Sequence, residues 1–157
     1  MSIERNAKRF LRRLRRHSSG AAAVEFALIA PVLAGLLLPM VDFGIGAYEK
    51  MRVESAAEAG AQYALANASS YSASLITTAV QSATTLASVA VTPNESCNCI
   101  TNSTIGTAIS CTSTCSDGST PGTFISVATQ VSYIPMLSYP GVPNPMTLNG
   151  YAVVRVQ

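Results

Sequence analysis

Between Ala21 and Val41 the chain runs 21 residues with one charged side chain, Glu25, and seven Lys and Arg residues stand just before it. Nothing else in the sequence restricts the fold as strongly. At 1.5 Å of rise per residue this run makes about 31 Å of helix, the thickness of a bilayer core. It reads as a membrane-spanning helix over 21–41, preceded by a basic leader over 1–20. Pro31 and Pro39 each remove a backbone donor and are expected to bend or loosen that helix, which membrane helices tolerate. A secretory signal peptide is the competing reading. The apolar run is longer than a usual signal core, and small residues in an A-x-A arrangement first occur at Ala59 and Ala61, so an anchor is the better fit.

Charge is distributed unevenly. Residues 1–19 hold seven basic side chains (Arg5, Lys8, Arg9, Arg12, Arg13, Arg15, Arg16) against Glu4, a balance of +6. Residues 20–157 hold three basic against seven acidic side chains, a balance of −4, which completes the net +2 of the chain. A basic block can bind nucleic acid, but one abutting an apolar helix follows the positive-inside rule, and no nucleic-acid partner is expected. The same rule keeps the N-terminus cytoplasmic and sends the remainder across the inner membrane to the periplasmic or extracellular side. With 157 residues there is room for one span and one small domain, which excludes a large multi-domain enzyme.

Residues 42–66, "DFGIGAYEKMRVESAAEAGAQYALA", lack proline and are rich in helix formers, so the anchor helix is expected to continue into water. Val53, Ala57, Gly60 and Ala64 share one face, and Lys50 and Glu54 form an i,i+4 pair. Small residues on that face admit close approach of a backbone, either from a partner helix or from the chain's own domain. After a turn over 67–71, apolar spacing predicts a short helix from Ser72 to about Leu86, capped by Ser70 or Ser72. Ala87 to Pro93 and Thr123 to Ile134 read as strands, the second with Ile125, Val127, Thr129, Val131 and Tyr133 on one face. Pro135 to Pro145 is a proline-rich loop, and "TLNGYAVVRVQ" closes the chain as a strand with Gly150 as a bulge. The expected fold class is α+β: a long N-terminal spine helix, a second short helix, then a small antiparallel sheet with a Cys-rich loop, the exported domain spanning 67–157.

Cys97, Cys99, Cys111 and Cys115 all follow the span, on the side where disulfides persist. Two bridges would brace a domain whose core, with no Trp and few aromatics, must be thin. Zinc is the rival, but the spacing is C-x-C and C-x3-C rather than paired C-x2-C. The sequence does not dictate the pairing; a nested arrangement, 97 with 115 and 99 with 111, suits a hairpin best. No metal or cofactor is expected. Catalysis finds little support: His17 is the single histidine and lies in the leader, and the many Ser and Thr lack a base to activate them. Glu95 and Asp117 flank the Cys loop and read as solvated charges rather than an acid/base or Ca²⁺ pair. Asn67, Asn94 and Asn102 each begin an N-x-[ST] pattern, a weak signal in so Ser- and Thr-rich a chain.

"GAAAVEF", Gly20 to Phe26, gives Glu25 a purpose. A cut between Gly20 and Ala21 leaves an α-amine one helical turn from Glu25, and in a bundle of such helices a neighbour's amine neutralises the carboxylate. The stretch resembles the type IV prepilin processing site, and Phe26 directly after Glu25 resembles the variant in tight-adherence (Flp/Tad) pilus proteins. "GAAAVEFALIAPVLAGLLLPMVDFG" and "AAEAGAQYAL" are similar to the TadE-like minor pseudopilins, strongly over Ser19 to Leu65, with departures at Pro39, Glu58 and Gln62. TadG-like proteins share the motif but carry a longer exported domain than 157 residues hold. The resemblance implies a structural, non-enzymatic component of pilus assembly that initiates, caps or assists the fibre. Its partners would be a prepilin peptidase, an inner-membrane assembly platform, other pilins or pseudopilins, and membrane lipid. The alternative is a permanently anchored periplasmic module that binds a ligand through the Cys loop or the 135–145 loop.

Overall fold

The computed structural model describes residues 19–138 and 140–157. The leader expected over 1–20, with its basic residues and His17, lies outside the described residues except for Ser19 and Gly20. Two compact units divide the chain, Met1–Asp42 and Phe43–Gln157.

One helix, α1 (Ser19–Ala66, 48 residues), runs through both prolines, Pro31 and Pro39. Its N-terminal half is apolar on every side and the side chains stand exposed: Val24, Phe26, Leu28, Ile29, Val32, Leu36, Leu37, Leu38 and Met40 are all more than half accessible. A helix apolar all round is built for lipid or for a buried bundle, and α1 is the one helix among the described residues long and apolar enough to cross a membrane. It ends at Ala66 and is closed by Asn67, whose backbone N–H and side-chain amide both donate to the Tyr63 carbonyl, at 3.1 and 2.9 Å. One carbonyl of the last turn, which has no helical donor left, is thereby satisfied.

The unit Phe43–Gln157 is α+β, as expected. α2 (Ala73–Ala83) is capped by Ser72, whose hydroxyl accepts from the Leu75 N–H. It stops three residues short of the expected end because Thr84 turns extended and its hydroxyl accepts from the Leu86 N–H, a local bond that competes with the helix. Four strands follow: β1 (Ala90–Thr101), β2 (Thr104–Ile109), β3 (Gly122–Tyr133) and β4 (Met146–Arg155), in the order β2-β1-β3-β4. Every pairing is antiparallel. β1 begins later than the expected Ala87 because Ser88 takes a left-handed φ of 59°, and it runs on through Pro93 to Thr101. Pro93 is tolerated because β2 joins only from Cys97 onward, leaving β1 an edge at the proline.

The core forms where α1 and α2 cover one face of the sheet. Val53, Ala56, Ala57, Ala64, Ile76, Val80, Ile125 and Val127 are all buried. The small-residue face of α1 thus packs on the chain's own domain. A Cβ on Gly60 would stand 2.5 Å from Val80 Cγ2 and 3.1 Å from Val127 Cγ1, so glycine is what lets helix, helix and sheet meet. Gly150 is not a bulge: it pairs with Thr129 in an unbroken register. Its missing side chain makes room for α1, since a Cβ there would lie 2.5 Å from the Val53 carbonyl oxygen. The irregularity sits instead between β1 and β2, where the register shifts between Asn98 and Ile100.

Candidate processing and assembly site

Gly20, Ala21, Glu25 and Phe26 occupy the first two turns of α1, all exposed. Among the described residues, nothing lies within 4 Å of the place a Gly20 side chain would fill. Glu25 is the one ionisable group between Gly20 and Val41, set among Val24, Phe26, Leu28 and Ile29. Chemically the arrangement offers a carboxylate at a fixed height on an apolar rod. In lipid such a group costs about 2.5 kcal/mol or more when unpaired, and an opposite charge on an adjacent helix offsets that.

The four cysteines lie in the other unit and form two disulfides, Cys97–Cys111 and Cys99–Cys115. The pairing is interleaved, which corrects the nested expectation. The reason is the turn. Thr101 pairs with Thr104 across a two-residue loop whose residues, Asn102 and Ser103, both have positive φ, at 51° and 61°. Such a turn suits the twist of a hairpin. It folds β2 back so early that Ile109 stands opposite Cys97 and places Cys111 just past the strand end, beside Cys97. Cys99 is opposed by the interior of β2 and is met by Cys115 from the following loop. Asn98 closes the irregular register: its amide donates to the Gly106 carbonyl at 2.8 Å and its carbonyl accepts from the Ser96 hydroxyl at 2.8 Å. The sequence pointed to a Cys-rich loop closed as a hairpin but assigned it no strands and no turn; Asn102, a residue that tolerates positive φ, was the available signal for where the turn falls.

Glu95 and Asp117 have separate surroundings. Asp117 accepts from the Ser119 hydroxyl at 2.7 Å and from the Ser119 N–H at 3.0 Å, which holds its carboxyl below the usual range. Glu95 lies near Tyr71, whose hydroxyl is pushed up by partial burial and then by the Glu95 charge. Among the described residues no group of three or more His, Cys, Asp or Glu is placed to hold a metal. Shallow hollows on the sheet include one of about 220 Å³ between Glu58, Gln62, Leu65 and β4 and another of about 280 Å³ over Thr92, Gln130 and Tyr151.

No curated protein and no solved structure matches the chain. Residues 20–62 match the family model described as TadE-like protein. The match opens on Gly20, takes in Glu25 and Phe26, and ends on the small-residue face of α1, close to the limits of the resemblance. Over that segment α1 is similar to the TadE-like family, which is consistent with a TadE-like protein of the tight-adherence pilus.

Proposed function

We propose that this chain is a minor pseudopilin, a structural rather than catalytic part of a tight-adherence pilus, cut after Gly20 by a prepilin peptidase on the cytoplasmic face. The observation that carries the reading is the position of Glu25: the family match covers it, and it interrupts an otherwise apolar, exposed helix at one turn from the new terminus. Ala21–Val41 spans the inner membrane, and Phe43–Gln157 is exported. The two disulfides support export, because thiols in the cytosol stay reduced. An assembly platform draws the processed helix into contact with other pilins, and Glu25 pairs with a neighbour's α-amine to set the axial register. The domain then initiates, caps or assists the fibre. N-terminal sequencing of protein recovered from membranes of a host with its peptidase tests the reading. A terminus at Ala21 supports it; a functional protein that still begins at Met1 or Ser2 removes the pseudopilin claim.

A further inference from the structure

The β3–β4 connection carries apolar side chains in the open. Ile134 is 71% and Met136 74% exposed, flanking Pro135, which is buried, and Leu137 follows at 39%. From Gly118 to Val154 the chain has no Asp, Glu, Lys, Arg or His, so this connection carries no charge.

Its height along the domain follows from contacts with α1. A Cβ on Gly46 would meet the Tyr133 ring at 3.4 Å, the Thr129 hydroxyl donates to the Val53 carbonyl at 2.9 Å, and Gly60 abuts Val127. As α1 advances from 46 to 60, its partners on β3 retreat from 133 to 127. β3 therefore runs against α1, and Tyr133 with the residues after it lies at the end of the domain nearest Phe43. The Cys hairpin lies at the other end, where Asn98 pairs with Gly122. Gly46 follows Val41, the last residue of the apolar run, by five residues, about 7.5 Å of helix. Phe43 and Tyr48, 68% and 57% exposed, belong to the same level. Aromatic side chains collect at that depth of a membrane.

We propose that the β3–β4 connection is a lipid-facing foot, with Ile134, Met136 and Leu137 entering the boundary between headgroups and acyl chains of the bilayer that holds the anchor. The inference rests on the anchored reading of Ala21–Val41. Lipid is the occupant because the loop is apolar and uncharged, because Tyr133 at its start packs at Gly46, five residues along the chain from Val41, and because Phe43 and Tyr48 are exposed at that level of the domain. An uncharged loop enters that boundary without desolvating an ion, and each apolar group it buries favours the docked state.

The chain has no tryptophan, so a single introduced indole reports its own surroundings. Full-length Leu36→Trp, Met136→Trp and Thr112→Trp proteins are reconstituted separately into phosphatidylethanolamine and phosphatidylglycerol vesicles, part of whose lipid is brominated near the headgroup end of the acyl chains. Acrylamide present on both sides serves as the aqueous quencher. L36W tests the span and T112W, in the Cys loop, is the solvent reference. The foot predicts blue-shifted emission from M136W and about twofold stronger bromolipid quenching than for T112W, as for a ring 5–10 Å into the boundary. If L36W is quenched by lipid while M136W matches T112W, the foot is wrong and the anchor stands. M136W shielded from both quenchers means that protein covers the loop, which also overturns the proposal. An L36W protein untouched by bromolipid removes the span, and the foot with it.

Discussion

At Glu25 a carboxylate stands among Val24, Phe26, Leu28 and Ile29, each more than half exposed, so its partner must come from a group outside that apolar neighbourhood. If that partner is a neighbouring α-amine, Glu25→Gln is still inserted and cut after Gly20 but fails to support pili, and Glu25→Asp, one methylene shorter, is intermediate. Mobility on gels reads the cut and shear recovery reads the pili. Wild-type piliation by a correctly cut Glu25→Gln protein contradicts the register role, and loss of cutting moves the role to peptidase recognition. Asp117 makes a smaller claim. Hydrogen bonds from Ser119 favour its charged form, so its folded pKa is depressed. The associated stability is present above the ordinary Asp range and lost as pH falls through the folded value. Ser119→Ala removes the main cause and should raise the midpoint toward the ordinary value of about 3.9, followed by carbon NMR of the carboxyl. An unmoved midpoint would leave the hydroxyl without that role.

The elements are held together by absences as much as by contacts. Gly150→Ala places a methyl group against the Val53 carbonyl and the Thr129 hydroxyl, both within 2.5 Å of the new carbon. Either α1 moves off the sheet or β4 does, at a cost of about 1–3 kcal/mol. Denaturant unfolding of the wild type and the variant measures it, and equal midpoints would show that the helix is not seated there. At the other end of the domain the Cys hairpin depends on its bridges. Peptide mapping without reduction should return 97 with 111 and 99 with 115, and no free thiol. Replacing both cysteines of one bridge by serine should lower stability by about 2–5 kcal/mol. Peptides joining 97 to 115 would restore the nested pairing and refute the Asn102–Ser103 turn.

At the scale of the whole molecule, the proposed cut after Gly20 would change the electrical character of the chain. The seven basic residues and Glu4 all lie before Gly20, so a cut there takes the formal charge from +2 to −4. Isoelectric focusing of the protein from hosts with and without the peptidase should move it from basic to acidic. A basic focusing point in both strains would place the cut elsewhere or nowhere. The thin core belongs to this scale too. Its helix side is largely alanine and glycine, so the domain gains little from side-chain volume and relies on backbone closeness, bridges and an unbroken β3–β4 ladder.

What the sequence determined by itself is whatever depends on local order: the apolar length of Ala21–Val41, the small-residue face of α1, the alternation of β3, a serine cap on α2, and the motif around Glu25. Each is a period or spacing along one segment, legible because neighbouring residues alone set it. What the tertiary structure decided depends on which segments meet. The occupant of the Gly60 face, the reason for Gly150, the interleaved bridges and the level of Ile134 and Met136 all required a partner strand or helix. Gly150 shows the difference. Within its own strand a glycine suggests a bulge, and only the Val53 carbonyl, distant in sequence and adjacent in space, shows that its missing side chain is room for a helix.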